Sequence, residues 1–261
     1  MNCKICNHES LPFAQGRVLD KYNVQYFQCA NCNFIQTENP YWLSQAYSSA
    51  ITTSDLGLVT RNLSFVAPAS ALISMIFGAQ GSFLDFGGGY GMFVRLMRDA
   101  GYNFYRQDMF CENLFAKGFD ISDKRLKHFQ LVTAFEVFEH LVDPIAEIEQ
   151  MLSYSRNILF STLLLPQPIP SINQWWYFGL EHGQHVSLYS KQTLNVLAQK
   201  FGLNCYSNGR TLHLLTARKL SRPLMNLVLD LRAAKILKLF LRRASLLPQD
   251  FLQLTGHTIS N

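Results

Sequence analysis

The segment Phe83-Leu84-Asp85-Phe86-Gly87-Gly88-Gly89-Tyr90-Gly91, followed by Met92-Phe93-Val94-Arg95-Leu96-Met97, restricts the fold more than any other stretch. An apolar run ends near an acid, turns through glycines and enters a stretch with apolar residues at helical spacing. Such a strand-to-helix turn lets the backbone approach a ligand closely, with helix N–H groups pointing at it. The bland alternative is a structural turn with no ligand. The pattern favours an α/β sheet that binds a nucleotide-type molecule. The dinucleotide fingerprint G-x-G-x-x-G fits poorly, because its third small residue, counted from Gly87, falls on Met92.

Downstream residues continue the alternation of strand and helix. Asn103-Phe104-Tyr105-Arg106-Gln107 reads as the next strand and ends at Asp108. An acid about twenty residues past a glycine turn commonly accepts hydrogen bonds from ribose hydroxyls; the plain reading is a solvated loop carboxylate. Another strand is read over Gln130-Leu131-Val132-Thr133-Ala134, followed by Phe135-Glu136-Val137-Phe138-Glu139-His140, with Asp143-Pro144 opening a helix. Glu136 then lies just past a strand's carboxyl end, where open α/β sheets bind ligands. His140 is read as packing that loop. Residues 203–207 and 211–217 are strand-like and joined by Asn208-Gly209. Asn-Gly predicts a type I′ hairpin, with positive φ at both positions, and so an antiparallel pair at the end of the sheet.

The order D-x-G-x-G-x-G from Asp85 to Gly91 resembles motif I of the class I S-adenosylmethionine (SAM) methyltransferases. The stretch through Glu139-His140 and Asp143-Pro144 is similar to the strand-four region of the same family, and an antiparallel last strand is a mark of its fold. The resemblance covers residues 79–217. It implies a Rossmann-like α/β fold with a seven-stranded sheet and an antiparallel last strand, with SAM as cofactor. The positions it assigns to the cofactor are Asp85, Gly87, Gly89, Gly91, Asp108 and Glu136.

Cys3 and Cys6, then Cys29 and Cys32, form a C-x2-C…C-x2-C array. Four thiolates in two tight knuckles suit tetrahedral zinc, and the spacing is close to a zinc ribbon. The alternative, two disulfides, needs an oxidising compartment, and the N-terminus shows neither a basic n-region nor an apolar h-region. The expected setting is therefore cytoplasmic, and the expected metal a structural zinc. The predicted organisation is a zinc ribbon over 1–40, connecting helices over 41–78, the SAM-binding domain over 79–217 and a tail over 218–261.

Charge separates the tail from the body. Residues 218–261 carry 8 Lys and Arg against 2 Asp and Glu, which leaves 15 against 16 for residues 1–217 from totals of 23 and 18. A body with no basic excess argues against a nucleic-acid partner. The Leu-rich tail, with Arg232, Lys235, Lys238, Arg242 and Arg243, reads as a basic amphipathic helix. It either packs on the domain or meets a membrane surface or an acidic partner. The uncharged stretch over 62–84 holds Pro68 and several polar residues, so a core helix near 65–77 explains it better than a membrane span.

A second uncharged stretch becomes a proline-rich loop bearing Trp175, Trp176, Tyr177 and Phe178, a candidate lid or simple packing. It leads into Gly179-Leu180-Glu181-His182-Gly183-Gln184-His185. Methyl transfer needs an aligned nucleophile and a base of near-neutral pKa, and His is the usual choice. Glu181, His182 and His185 are the catalytic candidates, with His182 the favoured base. A zinc module before a SAM domain, with a Glu-His pair after strand five, resembles the sugar C-methyltransferases. That resemblance implies a nucleotide sugar, surface-glycan precursor or other small polar molecule as acceptor. Those enzymes carry a substantial further C-terminal domain, whereas only 44 residues follow position 217 here. The competing readings are an RNA base methyltransferase whose zinc module binds RNA, and a non-catalytic zinc-ribbon adaptor.

Overall fold

The computed structural model describes residues 1–47, 56–124 and 126–259. The chain begins with β1 (Ser10–Val18), β2 (Tyr22–Cys29), β3 (Ile35–Thr37) and α1 (Leu43–Ala46). Then follow α2 (Leu58–Leu72), β4 (Ser82–Phe86), α3 (Met92–Asp99), β5 (Asn103–Gln107), α4 (Ile121–Lys124), β6 (Leu131–Ala134), α5 (Pro144–Tyr154) and β7 (Asn157–Ser161). The remainder is β8 (Ser187–Leu188), α6 (Lys191–Lys200), β9 (Asn204–Ser207), β10 (Leu212–Thr216), α7 (Arg222–Leu229), α8 (Leu231–Phe240) and α9 (Leu247–Thr255). The chain forms two compact units. One comprises Met1–Ser54, Glu136–Gln150 and Phe160–Lys219; the other comprises Asp55–Phe135, Met151–Leu159 and Leu220–Asn261. Residues 48–55 of the expected connecting segment lie outside the described residues.

The larger sheet is six-stranded, in the order β5-β4-β6-β7-β10-β9. β4 runs parallel to both β5 and β6, and β9 and β10 pair antiparallel as expected. The expected seventh strand is reduced, among the described residues, to a single parallel bridge between Arg106 and Asp120. Its physical cause lies in residues 113–116. The amides of Leu114 and Phe115 both donate to the Tyr90 carbonyl, so this stretch folds back on the glycine turn and cannot run along the β5 edge. The hairpin forms by a different device from the one expected. Gly209 has φ +78, but Asn208 has no positive φ, so the turn is not type I′. The Asn208 Oδ1 instead accepts from the amides of Arg210, Thr211 and Leu212, an Asx-type cap over a longer loop.

In the first unit, β1, β2, β3 and β8 form a four-stranded sheet in that order. Strand β8 is short because it pairs only through Ile35↔Leu188 and Gln36↔Ser187. One core covers this sheet: Val18, Val24, Tyr26, Ile35 and Trp42 pack with Leu165, Ile172, Tyr177, Phe178, Val186 and Leu188. Tyr177 and Phe178 of the aromatic loop are thus core residues, whereas Trp176 is 71% exposed.

In the second unit, α2 continues through a π-helical turn at Ile73–Phe77. The resulting 20-residue helix, Leu58–Phe77, is long and apolar enough to cross a membrane, yet half of its most apolar window is buried. It packs against α3, α7 and α8. Helix α8 exposes Ile236, Leu239 and Phe240 beside Arg232 and Lys235. Helix α9 is anchored differently. The Arg98 guanidinium donates from Nε and Nη2 to the two oxygens of Asp250 at 2.8 and 2.6 Å, and Arg95 lies 2.9 Å from the same carboxylate. Arg98 and Asp250 are both buried. Removing one partner of a buried ion pair strands the other charge, so Asp250→Ala should cost about 3–5 kcal/mol. Urea denaturation checks this: Arg98→Met combined with Asp250→Leu should lose less than the two single changes summed, and strict additivity would contradict the pairing.

Candidate active site and metal centres

The expected cofactor residues Asp85, Gly87, Gly89, Gly91 and Asp108 come together at the carboxyl ends of β4 and β5. Gly87, Gly89 and Gly91 have φ of +65, +52 and +85, a region open to glycine and costly for side chains. A Cβ on Gly88 would lie 2.9 Å from both the Asp85 Oδ2 and the Arg106 Cγ. A Cβ on Gly91 would lie 2.7 Å from the Asn113 Oδ1. Gly89 is different: nothing lies within 4 Å of where its Cβ would be. The turn is therefore packed on its protein side and open at Gly89, the cradle that a close-lying ligand needs.

Asp108 shapes this turn from β5. Its Oδ2 accepts from the Gly89 amide at 2.8 Å, and its Oδ1 accepts from the Phe110 and Cys111 amides, both at 2.8 Å. A carboxylate offers roughly four acceptor sites, so about one remains for a ligand hydroxyl. Arg106 braces the other side. It donates to the carbonyls of Gly89 and Cys111 and from Nε to Asp120 at 2.7 Å. Asp85 is buried, and Thr133 Oγ1 donates to its Oδ1 at 2.6 Å. Burial pushes its pKa up to about 7, with Asp108 raising it further and Thr133 and Arg106 pulling it down.

The four N-terminal cysteines converge. Sγ–Sγ distances are 3.6 Å for Cys3–Cys32, 3.4 Å for Cys6–Cys29 and 3.6 Å for Cys6–Cys32. All four sulfurs lie within 4.8 Å of one another. Zn–S bonds of about 2.3 Å require tetrahedral S–S edges near 3.8 Å, whereas a disulfide needs about 2.05 Å. The set fits a tetrahedral cation and excludes disulfides. Amides of Ile5, Asn31 and Cys32 donate to the sulfurs of Cys3 and Cys29, which favours thiolate. The Cys32 thiol hydrogen-bonds Cys3 and lowers its pKa to about 5, while the same bond raises that of Cys32.

A second convergence lies elsewhere in the same unit. Glu139 is fully buried, and among the described residues neither carboxylate oxygen has a partner at full hydrogen-bond geometry. Desolvation and then the charge of Glu136 push its pKa up to about 8; the Tyr177 and Thr162 hydroxyls offset this in part. Its carboxylate and a ring nitrogen from each of His140 and His185 lie within 4.8 Å of one another. His185 Nδ1 donates to the Tyr177 carbonyl at 2.7 Å, and His140 Nδ1 lies 3.0 Å from the Tyr47 hydroxyl. The His182 and His185 rings are 4.7 Å apart, and the His140 and His185 rings 5.0 Å apart.

Among the catalytic candidates, His185 belongs to this cluster and Glu181 is exposed. His182 Nδ1 accepts from the Gln184 amide at 3.1 Å, so its neutral ring carries the proton on Nε2. Glu136 sits two residues past β6 with φ +54, and it exchanges bonds with Ser161: its amide donates to Oγ, which donates back to Oε1 at 2.6 Å. Sequence reasoning placed His140 as packing and named Glu139, with Glu136, only as a fallback base should the histidines prove structural. The available signal was an acid and a histidine side by side at 139 and 140, three residues after Glu136, on a loop leaving a sheet.

Residues 59–208, more than half of the chain, match a family model described as a methyltransferase domain. The chain belongs to this methyltransferase family. It is an α/β enzyme that uses SAM, and the open glycine cradle and Asp108 fit that cofactor. Among solved structures, the methyltransferase is similar to the plantazolicin methyltransferase BpumL with S-adenosylhomocysteine (SAH), at 14% identity over 69% of this chain and 95% of that one, TM-score 0.47. It is also similar to the magnesium protoporphyrin IX methyltransferase of Synechocystis PCC 6803, at 12% identity over 67% and 92%, TM-score 0.44. A third likeness is the methyltransferase domain of bacterial CtHen1, at 14% identity over 59% and 98%, TM-score 0.40. None of the curated proteins matches the chain. Asp108→Ala should weaken SAM and SAH binding by about 1–3 kcal/mol, the worth of a charge-assisted hydrogen bond. Titration calorimetry checks this, and an unchanged affinity would remove Asp108 from the cofactor site.

Proposed function

We propose that the methyltransferase acts on a sugar, such as a nucleotide sugar or surface-glycan precursor, or on a similar small polar acceptor. The observation that carries this reading is a cavity of about 920 Å³ in the first unit, lined among others by Trp175, Trp176, Gln167, Asn195, Lys191 and Arg210. Aromatic faces stack on the C–H faces of sugar rings, amides pair with hydroxyls, and two cations suit a phosphate. When bound, SAM supplies an electrophilic methyl group, so the chain's own residues need only orient the acceptor and manage its proton.

His185, which does not itself line that cavity, is the residue assigned to that task in this reading. Its Nδ1 proton is committed to the Tyr177 carbonyl, so the neutral ring carries its lone pair on Nε2. His182, the base expected from sequence, has its Nδ1 lone pair engaged by Gln184, which makes it a hydrogen-bond donor to an acceptor oxygen in this reading. Glu181, being exposed, would act at the rim. His185→Ala should bind SAH as wild type yet lose about 10²–10⁴-fold in turnover. His182→Ala should lose less. A methyl-transfer assay on a panel of nucleotide sugars checks both, and full activity in His185→Ala would break the assignment.

The cation held by Cys3, Cys6, Cys29 and Cys32 is proposed to be zinc, with a structural role. A module of about forty residues buries too little surface to fold well alone, so metal binding supplies folding free energy. Elemental analysis of protein purified without chelator should give one zinc per chain that Cys29→Ser and Cys32→Ser remove. Reduced, folded protein without metal would refute it.

A further inference from the structure

We propose that Glu139, His140 and His185 form a second metal site, distinct from the four cysteines, for a divalent first-row cation such as Mn²⁺, Fe²⁺ or Co²⁺. All three donors belong to one unit of the chain, and their ligand atoms lie within 4.8 Å of one another. Donors around a cation with bonds near 2.1 Å stand about 3.0–4.2 Å apart, so side-chain rotations of under about 1 Å close the set.

Three observations point to a cation rather than to packing. First, Glu139 is wholly buried, and among the described residues neither oxygen has a partner at full hydrogen-bond geometry, although the Tyr177 and Thr162 hydroxyls stand near it. A buried carboxylate without partners is costly, and such groups are paired or coordinate metals. Second, both imidazoles are oriented from behind through Nδ1. His185 is held by the Tyr177 carbonyl and His140 by the Tyr47 hydroxyl. Histidine ligands characteristically donate their other ring N–H to an oxygen; the Tyr177 carbonyl can only accept, which leaves His185 to ligate through Nε2, and the Tyr47 hydroxyl can accept in the same way from His140. Third, Glu136 adds a nearby negative charge. Packing alone explains none of the three.

The donor chemistry narrows the ion. Two imidazoles with one carboxylate favour Mn, Fe, Co or Zn over Mg or Ca, and differ from the all-sulfur set that favours zinc. Three protein donors leave coordination positions for an acceptor oxygen, whose pKa a divalent cation lowers; with its Nε2 lone pair on the cation, His185 then acts as a ligand in place of the base role proposed above. The role in methyl transfer rests on the function proposed above; the existence of the site does not, because it can be read by binding alone.

The test uses full-length protein with its cysteine site loaded with zinc. Mn²⁺ is titrated and free ion followed by electron paramagnetic resonance. Wild type should bind one Mn²⁺, and Glu139→Gln and His185→Ala should each weaken it at least tenfold, with His128→Ala unchanged. Circular dichroism identifies any variant that has lost its fold; Glu139→Gln, which keeps the shape of the side chain, carries the result if His185→Ala unfolds. Equal Mn²⁺ binding by wild type and Glu139→Gln, or none by wild type, would overturn the site. Mn²⁺ binding without any effect on turnover would retain the site and reject only its part in the reaction.

Discussion

Three short strands with one apolar face need a surface to cover them, and in the first unit residues 165–188 provide it. Val18, Val24, Tyr26, Ile35 and Trp42 come from the N-terminal segment; Leu165, Ile172, Tyr177, Phe178, Val186 and Leu188 complete the core. Each fully buried side chain of this kind contributes about 1.5–3 kcal/mol, and both segments contribute several to the one core. Polar bonds fix the register. The Leu19 amide donates to the Leu180 carbonyl, Trp42 Nε1 to the Gly183 carbonyl, and Gln184 Nε2 to the Ala46 carbonyl. The loop that presents His182 and His185 is thus a turn at 180–182 followed by an irregular stretch, buried from Gly183 onward, that leads into β8. Its imidazoles have little freedom of position, which suits groups that must meet a ligand at fixed geometry.

The cysteine cluster is tied to that loop as well. The Cys32 carbonyl accepts from the hydroxyls of Ser190 and Thr193, and Ser190 is the N-cap of α6, with Thr193 closing its capping box. A cation on the four sulfurs would therefore stiffen the second C-x2-C knuckle and the start of α6 together. Gln192 of the same first turn reaches the Asn31 carbonyl and the Asn33 side chain. The N-terminal module is in this respect a brace for the start of α6, and a cation on its four sulfurs would strengthen that brace.

What could be read in the sequence was whatever local chemistry dictates. The glycine turn depends on positive φ and close approach within a few residues, so Gly87, Gly89 and Gly91 announce it. The cysteine pairs announce a four-sulfur site by their spacing, and Asn208-Gly209 announces a reversal, though not its type. The features that escaped depend on residues distant in sequence. The seventh strand failed because residues 113–116 bond Tyr90 instead of extending along β5. The lone pair of His182 is used by an amide two residues away, a backbone geometry that spacing does not reveal. Glu139 was legible only as a fallback base, because nothing in residues 130–145 shows that it will be wholly buried beside His185.

Two buried acids illustrate the difference between a group the fold has already satisfied and one it has not. Asp85 carries a raised pKa, but Thr133 donates to it and Arg106 stands near, so the chain itself holds much of its charge. It can be explained as the keystone of the glycine turn. Glu139 has comparable burial and, among the described residues, no donor at full hydrogen-bond geometry; the Tyr177 and Thr162 hydroxyls offset its burial only in part. Its neighbours are a tyrosine, a threonine, two imidazoles and a second carboxylate, and the second carboxylate opposes its ionisation. A fold selected for stability alone would favour a glutamine or a leucine at such a place. Retaining an acid there makes physical sense when something positive neutralises it during function, either a proton or a cation, and only the cation also uses the two imidazoles fixed around it.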